Sequence, residues 1–196
     1  MFKTLFLFKR FLNVDVGNDT ESPITKWGKN GAKTVNDLYQ ELMTGQCCFL
    51  IEGRNFIRTV QEVRLFVSDP NLGTLIEESR VLAGGGIDNS SKLPSTKIKI
   101  SDEPVPAVFI KMREDFNLNP ESYTWNNHEI TRCEMESKHY PGIITRYEWH
   151  TFYIILLPGT LEKFHGTVKN TGGDGSRLMV EITGGDGVKR TFVWIR

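Results

Sequence analysis

The chain of 196 residues fits the size of one domain, and its 39% apolar and 11% aromatic residues can build a substantial core. Twenty-four basic and twenty-four acidic residues cancel, which excludes a global field drawing the protein to nucleic acid or to an anionic membrane, so no nucleic-acid partner is expected. No stretch approaches the roughly 20 apolar residues of a transmembrane helix, and Cys47, Cys48 and Cys133 cannot all pair, so the expected setting is intracellular, reducing and soluble.

Residues 1–14, MFKTLFLFKRFLNV, carry Lys3, Lys9 and Arg10, no acid, and the large apolar side chains Phe2, Leu5, Phe6, Phe8, Phe11 and Leu12. This composition suits a segment docked on the core or on a partner chain, and it also suits an organelle presequence or a membrane-surface helix. The expected organisation is an N-terminal extension or docking segment over 1–25, followed by one domain over 26–196.

Past a polar linker, the spacing of Val35, Leu38, Tyr39, Leu42 and Met43 predicts a short amphipathic helix. Thr34 can cap its start, Asp37 completes a capping box, and Gly45 can end it. CCFLIE and FIRTVQEVRLFV then read as two strands of a hairpin turning at Gly53, Arg54 and Asn55. On the second strand Ile57, Thr59, Gln61, Val63, Leu65 and Val67 share one face, and Arg58, Val60, Glu62, Arg64 and Phe66 the other. A turn at Asp69-Pro70-Asn71-Leu72-Gly73 leads into the strand TLIEESRVL, a glycine-rich loop GGGIDNSSKLP follows, and TKIKI is a short alternating strand.

Val105, Val108, Phe109, Met112 and Phe116 define a second helix, which tolerates Pro104 and Pro106 in its first turn and leaves at Asn117. YTWNNHEITRCEME and GIITRYEWHTFYIILL are long strands flanking the Tyr140-Pro141-Gly142 turn, and two short runs and TFVWIR complete the chain. Gly172-Gly173-Asp174-Gly175 and Gly184-Gly185-Asp186-Gly187 read as two loops of a terminal meander, since a calcium-binding β-helix needs more copies at another spacing.

This order of helix, strands, glycine-rich loop, second helix ending REDFNL, and further strands resembles the Nudix family from roughly Lys26 to Arg196. The resemblance implies an α+β fold: a mixed β-sheet flanked by two main helices, an α/β/α sandwich. Aligned on the family's signature, Met112 takes the apolar site, Glu114 and Asp115 the acidic pair, and Asn117 and Leu118 the glycine-apolar pair. In the same frame Ile110 falls where the family has arginine, Lys111 where it has its first glutamate, Asp102 at the upstream glutamate, and Thr96 at the glycine. Reading Arg113-Glu114 as the Arg-Glu pair instead puts Asn117 and Leu118 at the acidic pair, so neither frame restores the motif.

The departure bears on chemistry because magnesium bound to a diphosphate wants several hard oxygen ligands in near-octahedral geometry. Positions 111, 114 and 115 share a helix face, and here an ammonium group stands among the carboxylates. The expectation is a metal-poor helix with no cofactor, its lysine in an exposed pair with the acids. The chain would then be a non-catalytic Nudix-like binding or assembly module with a protein partner, as a subunit or regulatory part of a larger complex. The alternative is a diverged Mg2+-dependent pyrophosphohydrolase acting on a nucleoside diphosphate derivative. It would use Glu114 and Asp115, with Asp102 or Glu103 as further metal candidates and Glu77 or Glu78 converging on them.

Other candidates are set against plainer readings. Trp125, Trp149 and Trp194 could line a pocket for a base of a nucleotide-like molecule or for a peptide, though core packing explains them as well; Arg132, Arg146 and Arg64 could add a phosphate-binding rim, and Lys111 is a further ligand-binding candidate. His128, Cys133 and His139 match no standard zinc spacing. Cys47 and Cys48 read as a strand that buries at least one thiol, and His150 and His165 read as packed or rim residues.

Overall fold

The computed structural model describes residues 23–53, 55–81, 85–89, 91–164, 167–170, 178–183 and 187–196. The N-terminal segment 1–14, most of the 1–25 extension, His165, Gly84 and most of both Gly-Gly-Asp-Gly loops lie outside the described residues. The architecture is α+β: a mixed sheet with two main helices, and no helix among the described residues is long and apolar enough to cross a membrane.

The elements follow the predicted order. Helix α1 spans Val35–Met43; strands β1 to β5 span Cys48–Glu52, Asn55–Asp69, Gly73–Val81, Ile87–Asp88 and Ser95–Ile98. Helix α2 spans Pro104–Phe116, and β6 to β10 span Tyr123–Glu136, Ile144–Leu156, Thr167–Asn170, Leu178–Thr183 and Lys189–Ile195. The chain divides into two compact units, the first holding Met1–Glu62, Lys97–Asp102 and Thr131–Trp149, the second Val63–Thr96, Glu103–Ile130 and His150–Arg196.

In the first unit, Thr34 caps α1 with the full capping box: its hydroxyl accepts from the Asp37 amide while the Asp37 carboxylate accepts from the Thr34 amide. Antiparallel β1 and β2 form the expected hairpin, in register from Cys48↔Thr59 to Glu52↔Asn55. Arg58 reaches Thr145 and Gln61 reaches Glu148; these contacts rise together along β2 and β7, so the two strands run parallel. Arg132 meets Glu148 while Arg146 meets Glu134, contacts that run oppositely along β6 and β7, which makes that pair antiparallel and the sheet mixed. Trp27, Leu38, Cys47, Val60, Tyr140 and Ile143 form the core. Trp27 packs edge-on to the Tyr140 ring at 5.2 Å and donates its indole N–H to Pro141 O.

In the second unit the strand order is β6-β7-β2-β3-β10-β9-β8, with β4 on β3 and β5 on β2. Its core takes Val63, Leu65 and Val67 from β2, Phe152, Ile154 and Leu156 from β7, and Val108, Met112 and Phe116 from α2. Phe116 meets Phe192 at 5.1 Å and Phe164 at 5.6 Å, which seats the C-terminal half of α2. Between β2 and β3 the Asp69 carboxylate accepts from the Asn71 and Leu72 amides. Gly73 follows at φ +94°, where an added Cβ would lie 2.1 Å from Ile195 O, so only glycine lets the last strand approach.

The period-two reading of β2 needs a correction. Val63, Leu65 and Val67 are buried as expected, but among residues 57–60 it is Ile57, Arg58 and Val60 that are buried, so the inward set changes parity along the strand. A guanidinium is thereby taken out of water, which is tolerable only with a partner.

Candidate functional site

Helix α2 carries the residues that the layout nominates. It starts with Glu103 in extended backbone and Pro104 in the first turn, and it ends at Asn117 with φ 57°, ψ 34°. Asparagine is the side chain that tolerates such a left-handed position best after glycine. The amides of Asn117 and Leu118 donate to the carbonyls of Arg113 and Met112, closing the helix end.

Along this helix Lys111 is 7% exposed, and its Nζ donates to Asp115 Oδ2 at 2.5 Å. The pair runs from i to i+4 with side chains 7% and 13% exposed. An exposed pair was the expectation; the lysine instead lies beside Met112 on the core side of α2, its aliphatic stem suited to that apolar surface. Burial changes the energetics, because a largely dehydrated carboxylate held by an ammonium is a committed group: removing either partner strands the other. Glu114 is exposed, as is Ile110, which stands at the arginine position of the signature.

The further metal candidates are divided between the units. Asp102 belongs to the first unit and is exposed, with Ser101 Oγ at 3.5 Å; Glu103 belongs to the second and is exposed at the helix start. Glu77 is 1% exposed and accepts from Arg80 Nε at 2.7 Å, so its charge is matched within its own strand. Among the described residues no group of three or more His, Cys, Asp or Glu side chains is arranged to hold a metal ion.

Of the three rim arginines, Arg64 belongs to the second unit, while Arg132 and Arg146 belong to the first and both meet carboxylates. Arg146 holds Glu52 through two hydrogen bonds of 2.7 and 3.0 Å and Glu134 through another of 2.7 Å, and these bonds push its pKa above the ordinary arginine value. Arg132 donates to Glu148 at 2.6 Å. Trp125 is 41% exposed in the second unit, edge-on to Phe152 at 5.4 Å; Trp149 is half-buried in the first, stacked on Tyr147 at 5.8 Å. Trp194 is a core residue beside Phe164.

Two clusters escape the sequence reading. His128 and His150 sit 3.2 Å apart, Nε2 to Nδ1, with the His128 ring stacked on Phe152 at 4.3 Å. Burial and the neighbouring His150 hold His128 below the ordinary histidine pKa. The other is the buried Glu41–Arg58 pair of the first unit, joined by Lys33 at 2.6 Å and Lys97 at 3.8 Å, with Arg58 also lying over the Tyr140 ring at 5.1 Å. A signal for it existed: Glu41 follows Leu38 by three on the apolar stripe of α1, and Arg58 shares a strand face with Val60. Cys47 packs in the same core, where burial pushes its thiol up to about 11 and leaves it inert as a nucleophile at neutral pH.

No protein-family model matches the sequence, and no curated protein matches it. Several solved structures are similar over part of their length. One is an Ap4A hydrolase of C. elegans in a binary complex, at 14% identity and TM-score 0.32, covering 50% of this chain and 67% of that one. A second is the Nudix hydrolase RenU of M. smegmatis, at 13% identity and TM-score 0.38, covering 56% and 67%. A third is the ORF135 protein of E. coli, at 12% identity and TM-score 0.37, covering 69% and 72%.

Proposed function

We propose that this chain is a Nudix-like module that binds or assembles without hydrolysing, a subunit or regulatory part of a larger complex with a protein partner. The observation that carries the proposal is the Lys111–Asp115 pair. At the two positions where the signature would present its first glutamate and one of its acidic pair, the helix presents a cation and a carboxylate that neutralise each other at 2.5 Å, largely shielded from solvent. One exposed carboxylate, Glu114, is left on that face, and a single oxygen donor group is a poor cage for magnesium. The three cysteines are free thiols, in keeping with a reducing intracellular setting.

The test is turnover. Incubation with a panel of nucleoside diphosphate derivatives and Mg2+ is expected to give no hydrolysis above the uncatalysed rate. Hydrolysis that Glu114→Gln abolishes would overturn the proposal in favour of a diverged pyrophosphohydrolase built on Glu114 and Asp115.

A further inference from the structure

In the second unit, residues of β6 and β7 bring two imidazoles together at a place that neither the α2 reading nor the Nudix layout uses. His128 Nε2 lies 3.2 Å from His150 Nδ1. Two metal–nitrogen bonds of about 2.0–2.1 Å spanning that gap subtend about 100°, close to the tetrahedral angle. The facing nitrogens therefore stand at the separation of two ligands on one ion. In a hydrogen-bonded pair each nitrogen points at the other; to share an ion the rings must pivot until their lone pairs meet beside that line. His128 is exposed and is the ring with room to do so.

The place is built rather than incidental. The His128 ring lies on Phe152 at 4.3 Å with only 9° between the planes, and the His128 amide donates to Asn127 Oδ1 at 2.9 Å. Phe152 is fully buried, and Trp125 closes on it edge-on at 5.4 Å. His150 is 5% exposed. One ligand is thus fixed in the protein while the other faces solvent, which lets an ion enter and leaves its open positions to water. Burial and His150 hold His128 below the ordinary histidine pKa, so its ring is neutral at neutral pH, as ligation requires. The neighbouring Glu129 carboxylate accepts from Tyr153 Oη at 2.9 Å and from Asn127 Nδ2 at 3.3 Å, which leaves nitrogen as the donor chemistry of the place.

We infer that His128 and His150 form a two-imidazole binding site for a divalent late transition metal such as Zn2+, with water in the remaining positions. Imidazole nitrogen suits Zn2+ and Cu2+, whereas Mg2+ takes oxygen ligands. A hydrogen bond between the rings gives the same separation, and the two readings part on what Zn2+ does. The inference is independent of the reading of α2, because neither imidazole belongs to that helix.

The test is titration of the full chain with Zn2+, followed by calorimetry and by the imidazole NMR signals. Saturable binding is expected, with the signals of His128 and His150 shifting together and that of His139, in the first unit, unmoved. His128→Gln, at an exposed position, is expected to weaken Zn2+ binding by more than about tenfold, the least that losing even an outer partner of a ligand costs, with the unfolding transition retained. His150→Gln should do the same where it folds, and His128→Gln decides the matter where it does not. Cys133→Ser is expected to leave binding unchanged, which separates the imidazoles from the free thiols. No saturable Zn2+ binding, equal affinity in His128→Gln, or binding lost in Cys133→Ser would overturn the inference and leave the two rings as a hydrogen-bonded tie between strands.

Discussion

Two helices of this protein each remove a carboxylate from water, and they differ in how many cations answer it. On α2, Asp115 meets the single ammonium of Lys111, and the pair is self-contained. On α1, Glu41 meets three cations, Arg58, Lys33 and Lys97. Burial of a charge therefore says little about function on its own; the number of partners sets what breaking each site costs.

The largest effect should come from breaking the α1 network at its centre. Glu41→Ala leaves Arg58 buried without its carboxylate, and a loss of about 3–5 kcal/mol in denaturant unfolding is expected; a loss below about 1 kcal/mol would show that the arginine relaxes to solvent.

On α2, Asp115→Asn should cost less, about 1–3 kcal/mol, because the lysine stem lets its ammonium move toward water. Replacing both partners together, Lys111→Met with Asp115→Leu, should recover most of that loss if the pair is structural. A double variant as unstable as Asp115→Asn would contradict the comparison.

Acid should separate the two regions further. Burial pushes the Glu41 carboxyl up, but Arg58, Lys33 and Lys97 outweigh it and hold the group at about 2, against an ordinary value of 4.5. The folded-state pKa is the lower one, so the contribution of Glu41 is complete above pH 4.5 and is lost as pH falls from there toward 2. Unfolding midpoints measured across that window should fall with pH in the natural chain, and the part of the slope due to this group should vanish in Glu41→Gln. The smallest effect is expected at Arg146, whose Glu52 and Glu134 pairs lie at the surface of the first unit: Arg146→Gln should leave the unfolding midpoint nearly unmoved.

The fold was legible where local rules act. The cap of α1 follows from Thr34 and Asp37, the hairpin from two β-rich runs around Gly53, and the stop of α2 from Asn117 in a left-handed conformation. Lys111 was legible as a cation sharing a helix face with Glu114 and Asp115, but its burial was not, because a helical period cannot say how far apolar neighbours extend round a helix. Arg58 was hidden by the change of inward face along β2, which shifts the buried residues from Arg58 and Val60 to Val63, Leu65 and Val67. The His128–His150 pair was hidden because it depends on how β6 lies beside β7, a register that no local pattern in either strand contains.

The proposal that the carboxylates of α2 form no magnesium site is tested most directly by calorimetric titration of the full chain with Mg2+. No saturable binding is expected in the micromolar range, with the same flat titration in Glu114→Gln; micromolar binding that Glu114→Gln removes would contradict the claim.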